Sequence, residues 1–212
     1  LADAKRLAEV LPSLSRVAVV GGGFIGLEAA AACRTLGKEV VLFEQAKILM
    51  ARVVPEEMAN FYESYHKDKG VKVELNSSIQ GVSESNNSVI ITTNTKAIDV
   101  DAVIVGIGVI PNSELATKAG LDCENGIITN SVGQTSDENI FAAGDCASVY
   151  SRYFETHIRL ESVQHAVDTA KIVGGSMLGK RQDYSAVPWF WSDQYDLKLQ
   201  ITGVLERYDD YY

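Results

Sequence analysis

A glycine-rich segment between an apolar run and a helical pattern constrains the fold of this chain more than any other feature. The segment reads Gly21-Gly22-Gly23-Phe24-Ile25-Gly26 and follows the β-branched run Arg16–Val20. Residues 24–36 are alanine-rich with helical spacing and end at Gly37, and residues 39–43 form a second apolar run. A strand, a helix and a second strand within about 30 residues predict a β-α-β unit. We therefore expect an α/β fold with a Rossmann-like parallel sheet.

In the spacing G-x-G-x-x-G, each glycine has a separate structural role that a side chain would prevent. Gly21 is expected to make the tight turn, Gly23 to let the backbone approach a pyrophosphate, and Gly26 to bring the helix close to the strand. The phosphates would bind free N–H groups at the positive end of the helix. The alternative is a glycine turn that only packs a strand on a helix, and the strand, helix and following acid in register disfavour it.

Glu44 follows the second apolar run, about 20 positions after the first glycine, where dinucleotide sites have the acid that binds the ribose. A carboxylate there accepts hydrogen bonds from ribose hydroxyls and repels a 2′-phosphate. Gln45 and Ala46 offer no guanidinium for that phosphate, although Lys47 is near. NAD is therefore predicted over NADP. Glu28 lies one turn into the helix that follows the glycines. Two interpretations of this acid stay open: it complements the helix dipole, or it lies near the nicotinamide.

The remaining pattern alternates helices and strands and contains an antiparallel excursion. Ile140–Ala143 is predicted as a buried strand, which would place Asp145 at the carboxyl end of a strand, where α/β folds bind ligands. Both tryptophans, Trp189 and Trp191, lie in one aromatic segment, and clustered aromatics are usually core. The other predicted elements are a helix over 1–14, a helix from Pro55 to about Lys69, a strand over 71–75, short strands over 78–100 with a turn at Asn86–Asn87, a strand over 102–105 and a helix over about 162–178.

The composition of the chain argues against nucleic-acid binding and against a membrane span. Lys+Arg number 19 and Asp+Glu 28, a net charge of −9, which argues against a nucleic-acid surface. No apolar run reaches the roughly 18 residues of a membrane span. The separated cysteines Cys33, Cys123 and Cys146 predict reduced, buried thiols in a cytoplasmic protein. The three histidines have no metal or triad spacing, and the chain, which begins at Leu and ends in Asp-Asp-Tyr-Tyr, is expected to be a fragment.

Five stretches of the chain together resemble the FAD-dependent pyridine-nucleotide oxidoreductases. More narrowly, they resemble the ferredoxin reductase branch that supplies haem monooxygenases and aromatic dioxygenases. The stretches are Val-Val-Gly-Gly-Gly-Phe-Ile-Gly-Leu-Glu28, Gly106-Ile-Gly-Val-Ile-Pro-Asn112, Ile-Phe-Ala-Ala-Gly-Asp-Cys-Ala147, Glu161-Ser-Val163 and Trp189-Phe-Trp-Ser-Asp-Gln-Tyr195.

This resemblance implies roles for individual residues. The NAD site would comprise Gly21, Gly23, Phe24, Ile25, Gly26, Glu28, Glu44 and Gly108, with Phe24, Glu28 and Gly108 at the nicotinamide end. The FAD site would comprise Gly144, Asp145, Ser162, Val163 and Trp191. Asp145 would hydrogen-bond the ribityl chain, the Val163 backbone would face the pyrimidine side of the flavin, and Trp191 would lie beside the isoalloxazine. No side chain is expected to act as a catalytic acid or base.

The resemblance also implies a domain plan and an activity. We expect a linker helix over 1–14, an NAD-binding domain over 15–132, the C-terminal half of an FAD-binding domain over 133–186 and the start of an interface domain over 187–212. NADH would reduce FAD, which would pass electrons to a [2Fe–2S] ferredoxin of an oxygenase system. The alternatives are a rubredoxin reductase or nitrite reductase flavoprotein, a disulfide reductase, and a non-catalytic NAD-binding module.

Overall fold

The computed structural model describes residues 2–85 and 88–205, and these form two compact units. The first unit takes in the chain up to Gly108 together with Ser192–Leu199. The second takes in Val109–Trp191 and Gln200–Val204. The division after Gly108 falls earlier in the chain than the predicted boundary after residue 132, and the domain plan stays a prediction.

A four-stranded parallel sheet forms the centre of the first unit, in the order β3-β2-β1-β7. Its strands are β1 (Arg16–Val20), β2 (Glu39–Phe43), β3 (Val71–Glu74) and β7 (Ala102–Val105). Val17, Ala18 and Val19 on β1 are fully buried, which agrees with a continuous apolar run covered on both faces. The predicted Rossmann-like parallel sheet is confirmed.

Helices α2 (Phe24–Thr35) and α3 (Glu56–Asp68) connect these strands. The backbone of Gly37 has φ +75°, so a glycine follows the end of α2 as predicted. The predicted helix over 1–14 is shorter, because α1 (Ala2–Val10) gives way to a 3-10 turn over Leu11–Ser13 that contains Pro12. Proline disfavours α-helical geometry at the residue before it, so α1 ends at Val10.

A three-stranded antiparallel sheet packs against the parallel sheet within the same unit. It consists of β4 (Ile79–Ser85), β5 (Ser88–Thr93) and β6 (Ala97–Val100). The shared core joins Ala18, Val41 and Phe43 of the parallel sheet to Ile91 and Val100 of the antiparallel one. The excursion is thus confirmed, while the predicted turn at Asn86–Asn87 lies outside the described residues.

The second unit has a four-stranded sheet in the order β11-β10-β9-β8. Its core consists of Ala142, Ala147, Val149 and Tyr184. Only β9 and β10 are parallel; the outer pairs are antiparallel. The elements are α4 (Glu114–Lys118), β8 (Cys123–Glu124), β9 (Gly126–Thr129), β10 (Ala147–Ser151), β11 (Thr156–Ile158) and α5 (Val163–Met177).

The predicted strand over Ile140–Ala143 is wrong. This segment folds back locally: Thr135 donates its N–H to the Ile140 carbonyl and Ala142 donates its N–H to the Gly133 carbonyl. An isolated bridge joins Gln134 and Phe141. An apolar run this short does not specify a strand, because local turn hydrogen bonds satisfy its backbone equally well.

A hairpin follows α5, made of β12 (Trp189–Gln194) and β13 (Leu197–Thr202). Tyr195 in its turn has φ +57°. Within the described residues, no helix has the length and apolar character needed to cross a lipid bilayer.

Asp101 ties the beginning of β7 to the beginning of β1. Its Oδ2 accepts the N–H of Ser15 at 2.6 Å and that of Arg16 at 2.8 Å. These two backbone hydrogen bonds hold the pKa of the Asp101 carboxyl below its usual value, because they stabilise the ionised form.

We predict that Asp101→Ala lowers the free energy of unfolding by about 1 kcal/mol at pH 7. Since the folded-state pKa is depressed, this contribution is fully present above the pKa of the unfolded chain and is lost as the pH falls below about 4. Urea unfolding from pH 3 to 7 measures it. Asp101→Asn keeps an acceptor oxygen but does not titrate, so it should lose the pH dependence and part of the stability. An unchanged difference between parent and Asp101→Ala at pH 3 and pH 7 would contradict the prediction.

Candidate functional site

Three backbones meet where β1 ends, α2 begins and β7 ends. Gly21 has φ +106°, and a Cβ there would lie 2.3 Å from the Gly106 carbonyl oxygen. A Cβ on Gly26 would lie 1.9 Å from the Gly21 carbonyl oxygen. Both positions therefore exclude any side chain. Sequence reasoning attributed the close approach of Gly26 to β1; in the structure the nearest obstacle is the carbonyl of the turn itself.

Gly23 differs from these two glycines. It precedes the first residue of α2 with an extended backbone, φ −82°, and a Cβ there would meet nothing within 4 Å. The first N–H groups of a helix have no intrahelical partner, and they carry the positive end of the helix dipole. The open space at Gly23 therefore gives a ligand close access to these N–H groups.

Glu44 lies directly after β2 and holds the glycine loop. Its Oε2 accepts the N–H of Gly22 at 2.6 Å and its Oε1 accepts the N–H of Ala46 at 2.7 Å. Sequence reasoning predicted a ribose-binding acid and missed this second role. Each carboxylate oxygen has two lone pairs, so both can accept a further hydrogen bond from a ligand hydroxyl.

Glu28 lies half-buried on α2, and its Oε1 accepts a hydrogen bond from the Ser192 hydroxyl at 2.6 Å. Nothing in the sequence indicated this contact, which joins residues 164 positions apart. Of the other residues predicted for the nicotinamide end, Gly108 has φ +105° with open space at its Cβ position. Phe24, also predicted for the nicotinamide end, begins α2. Ile25, which was predicted only as part of the NAD site, is 61% exposed.

The residues predicted for the flavin lie in the second unit. Asp145 is in a short 3-10 turn over Gly144–Cys146, at the amino end of β10. The predicted position at the carboxyl end of a strand is therefore wrong, for the reason given for Ile140–Ala143. The Asp145 side chain is exposed and accepts no hydrogen bond from the described residues, while the Gly144 N–H donates to Thr169 Oγ1 at 2.9 Å.

Ser162 and Val163 lie at the beginning of α5. The Ser162 hydroxyl accepts the N–H of His165 at 3.1 Å, so this predicted cofactor residue caps the helix. Val163 is 60% exposed although it is a large apolar residue.

Sequence reasoning missed His165, which is fully buried on α5. Its Nδ1 is 3.0 Å from the Tyr184 hydroxyl, and its Nε2 is buried without a hydrogen-bond partner among the described residues. Burial lowers the pKa of His165 and raises that of Tyr184 to about 12, so both groups are neutral near pH 7.

Trp189 and Trp191 stack on each other on β12, with ring centroids 5.1 Å apart. They are 39% and 37% exposed, so the usual interpretation of clustered aromatics as core does not hold for these two side chains. The physical reason is the strand period, because residues i and i+2 point to the same face of β12. That face carries both indoles at the surface.

The cysteines and histidines agree in part with expectation. All three cysteines are free, but only Cys33 is buried; Cys123 and Cys146 are half-buried. His66 and His165 are buried on helices, while His157 is exposed on β11. In residues 2–85 and 88–205, no group of acids, histidines and cysteines has the arrangement of a metal site.

Known proteins match this chain over nearly its whole length. A ferredoxin–NAD(P)(+) reductase of Sphingomonas sp is 40% identical over 98% of this chain and 51% of its own length. The structure of a ferredoxin reductase from Rhodopseudomonas palustris matches with a TM-score of 0.95 and 38% identity, over 99% of this chain and 52% of that one. The covalent complex of putidaredoxin reductase with putidaredoxin matches with a TM-score of 0.93 and 38% identity, over 99% and 51%.

The chain spans about half the length of these relatives. The predicted resemblance to ferredoxin reductases is confirmed by these matches. Residues 189–212 match the family described as reductase C-terminal, and residues 1–170 match the one described as pyridine nucleotide-disulphide oxidoreductase. This protein therefore belongs to the pyridine nucleotide-disulphide oxidoreductase family.

Proposed function

We propose that this protein is an NADH-dependent, FAD-containing reductase that passes electrons to a [2Fe–2S] ferredoxin of an oxygenase system. The observation that carries the proposal is the pairing of Glu44 with the glycine loop, which sets a carboxylate beside the open approach at Gly23. Family membership supplies the redox class, and the similarity to ferredoxin reductases supplies the kind of acceptor.

The first unit has the features of an NADH site. The pyrophosphate would bind N–H groups at the beginning of α2, where the helix dipole favours negative charge. The adenosine ribose would donate its hydroxyls to the free lone pairs of Glu44. A 2′-phosphate at the same place would meet a carboxylate, and this repulsion favours NADH over NADPH. Glu28, with Phe24 and Gly108, would bind the nicotinamide end.

The second unit has features that fit a flavin. The Asp145 carboxylate has free acceptor capacity for a ribityl hydroxyl. The free N–H groups at the beginning of α5, at Val163, would face the pyrimidine edge of the flavin. Gly144, Ser162 and Trp191 complete the set that we assign to FAD. When bound, FAD supplies the redox chemistry, since it accepts a hydride and releases single electrons.

The protein's own residues bind and orient the two nucleotides rather than transfer protons. Burial lowers the pKa values of His66 and His165, so neither ring is proposed as a catalytic acid or base. Trp189 and Trp191 stack on each other and form an exposed aromatic surface. In the sequence they follow closely after residues 133–186, the predicted half of an FAD-binding domain. Free thiols support a reducing compartment, so we propose that the protein acts in the cytoplasm.

We predict opposite effects for alanine at the two glycines of the loop. Gly23→Ala should change the free energy of unfolding by no more than about 0.5 kcal/mol, because its φ is allowed and its Cβ meets nothing. It should still weaken NAD⁺ binding, because the new methyl group occupies the approach of the pyrophosphate. Gly26→Ala should cost about 3 kcal/mol of stability or more, because its Cβ collides with a backbone oxygen. Thermal unfolding and calorimetric titration separate the two, and equal loss of stability in both variants would be the contrary result.

We predict that Glu44→Gln raises the affinity for NADPH relative to NADH by about tenfold, since it removes one negative charge from the ribose site. The amide oxygen keeps one acceptor for the Gly22 N–H, which limits damage to the loop. Glu39→Gln, at the other end of β2, makes the same charge change in an exposed ion pair with Arg16 and serves as the matched control. A preference that stays the same in Glu44→Gln would exclude the proposed ribose contact.

The activity is tested first by a visible spectrum of the protein with FAD, followed by anaerobic NADH. We expect a flavin spectrum that persists through gel filtration and bleaches with NADH, and reoxidation on adding a [2Fe–2S] ferredoxin. Reoxidation by rubredoxin alone would favour the rubredoxin reductase alternative. A protein that binds NAD⁺ but retains no flavin would fit the predicted half of an FAD-binding domain. Binding of NAD⁺ without electron transfer in a chain that spans the full length of the relatives would favour a non-catalytic NAD-binding module.

A further inference from the structure

A chain of buried hydrogen bonds runs from α3 to the Glu28 carboxylate within the first unit. His66 Nε2 lies 2.8 Å from Gln194 Oε1, Gln194 Nε2 donates to Ser192 Oγ at 3.0 Å, and Ser192 Oγ donates to Glu28 Oε1 at 2.6 Å. His66, Gln194 and Ser192 are all completely inaccessible to solvent.

The chemistry of the groups fixes the direction of these bonds. The amide oxygen of Gln194 can only accept, so His66 Nε2 carries the proton and donates it. Burial lowers the pKa of His66, which agrees with a neutral ring whose Nδ1 faces the Tyr195 hydroxyl. Every donor in the chain therefore points toward Glu28, and the negative carboxylate is the final acceptor.

Such a chain is costly to bury unless each member is satisfied. Ser192 and Gln194 are two residues apart on β12, so both side chains lie on one face of the strand. That face connects α2 to α3 through polar groups. Apolar side chains at these positions would avoid the free-energy cost of burying polar groups. The result is a rigid support for one oxygen of Glu28, while its Oε2 accepts no hydrogen bond from the described residues.

We propose that Ser192, Gln194 and His66 are positioning residues that hold the Glu28 carboxylate for the carboxamide of the nicotinamide. The inference rests on the proposed function, in which Glu28 binds the nicotinamide end. Ser192 fixes Oε1, and Oε2 is left to accept an N–H of the carboxamide. None of the three touches the nucleotide; each acts through Glu28.

The test compares two probes that share the adenosine and pyrophosphate: NAD⁺, and ADP-ribose, which lacks the nicotinamide. Calorimetric titration of the full chain gives both dissociation constants. Ser192→Ala should weaken NAD⁺ binding about tenfold, which is the size expected for a lost hydrogen bond to a charged group. ADP-ribose binding should change less than about twofold, because the glycine loop and Glu44 are untouched.

A double-mutant cycle connects the effect to Glu28. In the Glu28→Ala background, Ser192→Ala should cause no further loss, since the acceptor is already gone. His66→Leu breaks the chain at its origin, whereas His66→Gln keeps an amide N–H for Gln194 and should restore NAD⁺ affinity. Ser77→Ala is the matched control, because Ser77 is a buried serine of the same unit whose hydroxyl donates to the Leu75 carbonyl.

Each outcome bears on the proposal. Equal weakening of NAD⁺ and ADP-ribose in Ser192→Ala would overturn it, because the chain would then support the fold and not Glu28. Loss of NAD⁺ affinity in Glu28→Ala but not in Ser192→Ala or His66→Leu would overturn it while leaving the proposed function intact. If the parent chain bound NAD⁺ no tighter than ADP-ribose, the nicotinamide role of Glu28 would fail and the inference with it. Should Ser192→Ala fail to fold, the His66→Leu and His66→Gln pair decides.

Discussion

The first unit depends on two close approaches of backbone to backbone: Gly26 of α2 lies against the carbonyl of Gly21, and Gly21 lies against the carbonyl of Gly106. Three missing side chains let β1, β7 and the beginning of α2 converge. The convergence leaves Gly23 open to solvent, so the packing that closes the fold also exposes the N–H groups that attract an anion. Glu44 then fixes the loop through the Gly22 N–H, and its carboxylate is the group that we propose for binding the adenosine ribose.

Two carboxylates near this loop are supported in different ways. Glu44 accepts hydrogen bonds from the N–H of Ala46, two residues along the chain, and from the N–H of Gly22, just after the neighbouring strand β1. Its position therefore follows from the β-α-β unit itself. Glu28 is held from a distance by Ser192, and through it by Gln194 and His66. The first arrangement suits a contact common to dinucleotide sites. The second couples the proposed nicotinamide contact to a hairpin far along the chain.

The parallel sheet, its helices and the glycine loop were predictable because each rests on local rules: apolar runs for buried strands, a glycine after a helix, and fixed glycine spacing before one. The sequence patterns that misled have separate physical causes. Ile140–Ala143 is as apolar as a strand, but its backbone hydrogen bonds close a local turn with Gly133 and Thr135. Clustered aromatic residues are usually core, but the two-residue period of β12 puts Trp189 and Trp191 together at the surface.

Sequence by itself determined the Rossmann-like sheet, the position of the glycine loop, the acid after β2 and the family, because these depend on residue types at short, fixed separations. Tertiary structure alone decided that Asp145 stands at the beginning of a strand, that His165 keeps an unpartnered ring nitrogen, and that Ser192 reaches Glu28. Hydrogen bonds between residues 164 positions apart leave no local pattern. They exist only because folding brings β12 against α2 and α3, and burial then makes each donor find an acceptor.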